Sequence, residues 1–331
     1  MSAETIPQPG KGVTEAAQNS DPHTLWSGEG MPAALLLDAS AHDGLPARLE
    51  RSGLPHTCLF SGPDAETLAE EAPYLATLDP QNATASRSLL NFVIGSGAGA
   101  ILMHAPVELD RQRTHLRKWL SVHLPKGHSR EDKPVLFRFY DPAILAAFLG
   151  TLTPADAAAF FGPIERIVTV ETRAAKAFSL TDIARATPRS TFPPDGLYRI
   201  SETQYAILAK LTGDTFRTDL ARYLRSEFSP ETRDMSDEEM HALIDAAIAD
   251  ADRIGDKRQG SVLSLVVIRL LRPDLLEDAY VMKQVMVDHP LAAHPNQRVG
   301  LLLGILTSDF QTLDERSAFF ARLNRFWTEE F

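Results

Sequence analysis

The chain has 331 residues, enough for two domains, and its 44% hydrophobic and 23% charged content is ordinary globular usage that excludes a wholly disordered chain. Its 33 basic and 44 acidic residues leave a formal charge of −11, a poor basis for gripping nucleic acid through its phosphates or for docking on an anionic membrane. The single cysteine, Cys58, excludes an intramolecular disulfide and any multi-cysteine metal site.

No apolar run reaches the roughly 18 residues that span a bilayer. The first 25 residues carry Glu4, Glu15 and Asp21 and lack the continuous apolar stretch of a secretory signal. A cytoplasmic protein with no stable membrane insertion is expected. Residues 1–30 hold Pro7, Pro9, Gly10, Gly12, Pro22, Gly28 and Gly30 and few large apolar side chains, and read as a disordered tail.

Residues 31–171 alternate short strands with helices. A buried strand at 33–38 ends in Asp38, and a helix at 45–52 stops at Gly53. A strand at 57–60, an acidic helix at 64–71 ended by Pro73, a helix at 86–94 and a strand at 98–103 follow. The pattern then predicts a helix over 106–122 and a strong central strand over 134–140. Asp141-Pro142 and Thr153-Pro154 supply N-cap and first-turn residues for helices at 142–149 and 154–161, and a last strand covers 164–171. Helices between strands predict an N-terminal α/β lobe with a mostly parallel or mixed sheet.

Residues 172–196, with Pro188, Pro193, Pro194 and Gly196, read as an inter-domain linker. From 197 to 331 the pattern is helical only. It opens on a capping box, Ser201 followed by Gln204, and predicts helices at 202–211, 214–227, 236–253, 258–271, 274–288, 295–307 and 312–327. The whole is an α/β or α+β chain with an all-helical C-terminal lobe.

The chemistry-bearing residues are sparse. The glycines at 95, 97 and 99 follow a helix and precede a strand, the reverse of a dinucleotide fingerprint, and no Lys-Ser/Thr pair makes a phosphate loop. A plain helix-to-strand turn is the better reading. Cys58, within a predicted strand, reads as a buried inert thiol. His115, His123, His128, His289 and His294 match no metal-ligand spacing. Asp38 ends a strand, where an acid either caps the next turn or serves catalysis; capping is favoured, since no second carboxylate completes an acid/base pair. Arg111, Arg113, Arg117 and Lys118 begin a basic stretch continued by Lys126, Arg130, Lys133 and Arg138. It reads as a docking patch for an acidic partner or as a solvated helix face, with only Trp119 nearby for stacking on a base. In 136–142, alternation puts Phe137 and Phe139 on one face and Leu136, Arg138 and Tyr140 on the other, and Arg138 on a buried strand needs a carboxylate or carbonyl partner. No catalytic, cofactor or metal residues are assigned.

Several of these residues fall in a recognisable order. Leu35-Leu-Leu-Asp38 leads to Ser52-Gly-Leu-Pro55, then Ala72-Pro73-Tyr74-Leu75, then His115-Leu-Arg117, then Phe137-Arg138-Phe139-Tyr140-Asp141-Pro142 with Leu145, Phe148 and Leu149. Over about residues 33–162 this resembles the domain of unknown function of type VI secretion adaptors, also called effector chaperones, and Ile200-Ser-Glu-x-Gln204 is similar to the opening of their helical extension. The resemblance implies a non-enzymatic protein without cofactor. It would bind a cognate toxic effector in the cytoplasm through the effector's N-terminal segment, stabilise it, and promote its loading onto the spike (VgrG-type) protein. The matching motif residues are Pro73, Tyr74, Leu75, Arg138, Tyr140, Asp141 and Pro142, read as mainly structural. Two other readings stand beside it: a small-molecule enzyme using Asp38 and Arg138, and a scaffold unrelated to secretion.

Overall fold

The computed structural model describes residues 12–18, 33–96, 99–128, 132–171, 174–189 and 196–326. The chain divides into two compact units, Met1–Leu211 and Thr212–Phe331.

The first unit is built on a seven-stranded sheet. Its strands are β1 (Val13–Gln18), β2 (Ala33–Asp38), β3 (His56–Cys58), β4 (Pro73–Leu78), β5 (Ala100–His104), β8 (Arg166–Glu171) and β9 (Ala174–Leu180), in the order β1-β9-β8-β5-β2-β4-β3. A smaller sheet joins β6 (Ser121–His123) to β7 (Val135–Leu136) and β10 (Tyr198–Arg199). The helices of at least two turns are α1 (Leu45–Ser52), α2 (Ala83–Gly95), α3 (Leu109–Leu116), α4 (Pro142–Leu149) and α5 (Pro154–Phe161).

Every neighbouring pair in the large sheet is antiparallel, which corrects the expected parallel or mixed sheet. The helix-linked strands do run the same way. β2 and β3 are both antiparallel to β4, and β4 and β5 are both antiparallel to β2. Each helical crossover therefore skips one position, and an oppositely directed strand fills the gap. Periodicity sees the crossover helix but not the strand that slots in between.

Helices cover both faces of this sheet. Leu35, Leu37, Tyr74, Ala76, Leu102 and Val168 pack with Leu45 and Leu49 of α1 and Leu89, Leu90 and Val93 of α2. Leu36, Leu75, Ile101, Met103 and Ile167 face the other way, onto Leu116, Trp119, Phe148, Leu149, Phe160 and Phe161. A strand buried on both faces needs no polar alternation, which is why β2 reads as a continuous apolar run.

Four expectations in this unit are corrected. Within the expected tail, β1 pairs along β9 from Val13 opposite Leu180 to Gln18 opposite Ala175. An edge strand held by backbone hydrogen bonds needs little apolar surface of its own. Gly12, just before it, lies so close to α5 that a Cβ there would stand 2.6 Å from the Thr153 carbonyl oxygen. The rest of residues 1–30 lies outside the described residues. Within the expected linker, β9 and the short helix Asp182–Ala186 belong to the first unit; residues 190–195 lie outside the described residues. The central strand expected at 134–140 is only Val135–Leu136, an edge of the small sheet. The chain turns at 139–141 because Asp141 and Pro142 must start α4, with the Asp141 N–H donating to the Arg138 carbonyl at 3.1 Å. Likewise the helix expected over 106–122 stops at Leu116, passes through one 3₁₀ turn and becomes β6.

Helix α6 (Glu202–Glu227) starts in the first unit and ends in the second. Its capping box forms as expected, with the Ser201 N–H donating to Gln204 Oε1 at 2.9 Å and the Gln204 N–H to Ser201 Oγ at 3.2 Å. It runs unbroken through Gly213, where the sequence predicted a break.

The second unit continues with α7 (Asp237–Ile254), α8 (Gln259–Leu271), α9 (Pro295–Ser308) and α10 (Leu313–Arg325), joined by short helical turns. Its core gathers Leu220, Tyr223, Leu224, Ile244, Ala247, Leu265, Val266, Leu302 and Phe319. Among the described residues no helix is long and apolar enough to cross a membrane.

Candidate functional site

The two motifs meet at the end of β2. Register places Asp38 opposite Pro73, Leu37 opposite Tyr74 and Leu36 opposite Leu75. The Pro-Tyr-Leu element is thus the start of β4, a strand that sequence patterning missed because proline is unusual there. Proline fits because its carbonyl is the group used, accepting from the Leu59 N–H at 2.8 Å. Leu75 then points into the aromatic core and Tyr74 into the α1–α2 core.

Asp38 is 5% exposed and fully engaged. Its Oδ1 accepts from the Ser40 N–H at 3.0 Å and the Ser40 hydroxyl at 2.7 Å, and its Oδ2 accepts from Arg138 Nη2 at 2.7 Å. The acid therefore caps the turn after β2, as expected, and is also the partner that Arg138 requires. Burial weakens the Arg138 charge, but the hydrogen bond and charge of Asp38 outweigh it and lift the guanidinium above its usual range. Arg138 itself sits on a turn with a half-exposed side chain, not on a buried strand. Tyr140 is buried beside it; desolvation, then the Asp38 charge, push its phenol up to about 12. A phenol held neutral at physiological pH acts here as a packing group.

Asp141 accepts from the Ala143 and Ile144 N–H groups at 2.8 and 3.0 Å, and Pro142 occupies the first turn of α4. Behind them lies an aromatic cluster. Phe148 meets Phe137 at 4.9 Å and Phe160 at 5.5 Å, and Trp119 meets Phe160 at 4.8 Å and Tyr198 at 5.1 Å between ring centroids. The first three contacts are edge-to-face and the Trp119–Tyr198 contact is tilted, and aromatic packing at these separations stabilises a core beyond its buried area. Trp119 is fully buried, so it offers no face to a base. The motif residues thus form one mechanical unit that ties β2, β4 and α4 together.

The expected docking patch divides. Arg113 is committed inward, its Nε donating to the Cys58 carbonyl at 2.7 Å and its Nη2 to the Phe60 carbonyl at 3.1 Å. Those carbonyls lie at the last residue of edge strand β3 and just past it, so Arg113 satisfies groups that the sheet leaves open. Arg117 is exposed and donates to the Ser61 hydroxyl. Arg111 and Lys118 are exposed. Of the later basic residues, Arg130 lies outside the described residues.

Cys58 is partly buried, and desolvation raises its thiol above the usual range. His42 and His115 are held below the usual imidazole range by burial. His42 Nδ1 lies 2.9 Å from Ser96 Oγ, and His115 Nε2 lies 2.7 Å from the Phe160 carbonyl oxygen. Among the described residues no three His, Cys, Asp or Glu side chains converge as a metal set would. The glycine-rich turn serves packing at Gly99, with φ +84°, where a Cβ would stand 2.6 Å from the Val170 carbonyl oxygen.

No curated protein and no solved structure matches the chain. A family model does: residues 35–159, which hold both motifs, Asp38 and the aromatic cluster up to α5, match the domain of unknown function DUF4123, a family associated with type VI secretion adaptors.

Proposed function

We propose that this protein is a type VI secretion adaptor of the effector-chaperone kind. It binds a cognate toxic effector in the cytoplasm, shields the effector's N-terminal segment and promotes its loading onto the spike protein. It is not an enzyme and uses no cofactor. The observation that carries this reading is the family match over residues 35–159 together with what the matched motifs do: Pro73, Tyr74, Leu75, Arg138, Tyr140, Asp141 and Pro142 are spent on holding the lobe together. A site so used supports a binding scaffold better than a reaction centre. An apolar effector segment left uncovered would aggregate, and a partner that covers it would keep it soluble.

The test is co-expression with the neighbouring effector and spike gene products, followed by purification on a tag carried by this chain. Stoichiometric recovery of both, with the effector less soluble when made alone, is the expected result. Recovery of neither by a folded protein would overturn the adaptor reading and favour a small-molecule role for the Asp38–Arg138 region.

A further inference from the structure

A cleft of about 600 Å³ opens between α1 and α2, lined by Arg48, Arg51 and Ser52 on one side and Asn82, Thr84 and Ser88 on the other, with Ala85 and Leu89 at its base. Arg48 and Arg51 are three residues apart, so both lie on one helical face, adjacent to the face by which Leu45 and Leu49 enter the core. Glu50 lies on another flank of α1 and faces His56 at 3.5 Å. The Arg48 guanidinium rests on the Phe92 ring, 4.1 Å from its centroid, which fixes its position without neutralising it.

Many of the protein's other arginines are spent on partners. Arg113 clamps carbonyls, Arg138 pairs with Asp38, Arg199 with Asp132, Arg258 with Asp256 and Arg269 with Asp250. Among the described residues, neither Arg48 nor Arg51 makes an ion pair, although the chain has eleven more acidic than basic residues. Two uncommitted guanidinium groups beside a polar wall and an apolar base favour a ligand that carries carboxylates next to an apolar side chain. The cleft offers no lysine and no glycine-rich backbone loop of the kind that cradles phosphate.

We propose that the α1–α2 cleft is a docking site for an acidic protein segment in which Glu or Asp residues flank an apolar residue. The carboxylates pair with Arg48 and Arg51, the hydroxyls of Thr84 and Ser88 complete their hydrogen bonds, and the apolar residue sits on Ala85 and Leu89. The site is separate from the motif region, and the proposal does not depend on the adaptor reading.

The test uses the full chain and a fluorescein-labelled peptide of Glu-Glu-Leu repeats, read by fluorescence anisotropy, with a Gln-Gln-Leu peptide as its neutral counterpart. The expected result is binding at least about tenfold tighter for the acidic peptide, lost by about tenfold or more in R48Q/R51Q. Because Arg48 also packs on Phe92, Ser88→Glu provides a second variant. It adds a repelling charge at an exposed position in the cleft and is expected to weaken binding as much with unchanged thermal melting. Equal binding by wild type and both variants, no preference over the neutral peptide, or no binding at all would overturn the proposal. Displacement by inorganic phosphate, beyond that by chloride at equal ionic strength, would make this a small-anion site and also overturn it.

Discussion

Each unit buries a carboxylate against an arginine, and one such pair from each unit shows two opposite ways of building it. In the sheet unit Asp38 meets Arg138 across 100 residues of chain; in the helical unit Asp256 meets Arg258, two residues away. Both carboxylates are buried, at 5% and 4% exposure, and both also accept from a nearby serine, Ser40 or Ser261. The local pair forms wherever its helix starts and can persist in an unfolded chain. The distant pair exists only when the sheet and the α4 segment have come together. It therefore reports tertiary structure, and its loss acts on the folded state alone.

The largest expected effect strikes what the distant pair depends on. Phe148→Ala empties the centre of the aromatic cluster, where the ring is fully buried against Phe137, Phe160, Trp119 and Tyr198. It should cost about 3–5 kcal/mol, read as a lower urea midpoint together with faster amide exchange in β2, β4 and α4. Unchanged exchange in β4 would mean that the motif strand is held independently of the cluster.

Next comes the pair itself. Arg138→Ala leaves the Asp38 carboxylate buried with only Ser40 for support and should cost about 2–3 kcal/mol, less than a fully buried pair because solvent already screens the half-exposed arginine. Arg258→Ala removes a partner that the unfolded chain also keeps close, and should cost no more than about 1 kcal/mol. Equal losses in chemical denaturation would break the comparison. The Asp38→Asn, Arg138→Gln double-mutant cycle then isolates the coupling energy.

Acid should separate the units in a third way. His42 and His115, both in the sheet unit, are held below their ordinary value of 6.5 by burial. Their neutral forms favour folding, so the stability they allow is fully present above pH 6.5 and is lost as pH falls below it, when the unfolded chain takes up protons first. In the helical unit Asp256 is held below its ordinary 3.8, chiefly by the hydrogen bond from Arg258. That contribution is present above pH 3.8 and disappears only as pH falls through the lowered value. Amide exchange at pH 7.5 and 5.5 should therefore show loosening confined to the sheet unit. Loosening of both units over that interval would place the sensitive groups elsewhere.

The same contrast explains how much of the molecule could be read from its sequence. Most helices of the second unit, the capping box at Ser201 and Gln204, and the Asp141-Pro142 start are local devices and were legible, although the break expected before 214 does not occur and the helix expected over 274–288 is three short pieces. Strand order was not, because the strand lying between β4 and β5 is β2, which precedes both in the chain. β4 was missed because Pro73 opens it, and β1 because an edge strand needs almost no apolar signature. That Arg138 needs a partner was legible; that Asp38 provides it was not, since nothing local links positions 100 residues apart. Arg48 and Arg51 share a helical face by spacing alone, yet their lack of carboxylate partners shows only in three dimensions.

The smallest effect tests the local grammar in isolation. At the start of α10 the Thr312 hydroxyl accepts from the Glu315 N–H at 3.1 Å, and the Glu315 carboxylate accepts from the Thr312 N–H at 3.2 Å. Thr312→Ala removes one half of this box at an exposed position and should cost about 1 kcal/mol. The loss should appear as faster exchange in the first turn of α10, which holds Phe319 and Leu323 in the helical core, with no change in β2 or β4. A cap acts on the end of its own helix, so its effect should fade within a few turns. A response in the sheet unit as large as that in α10 would mean that stability in this chain is shared between the units, and the distinction between its local and distant pairs would lose its force.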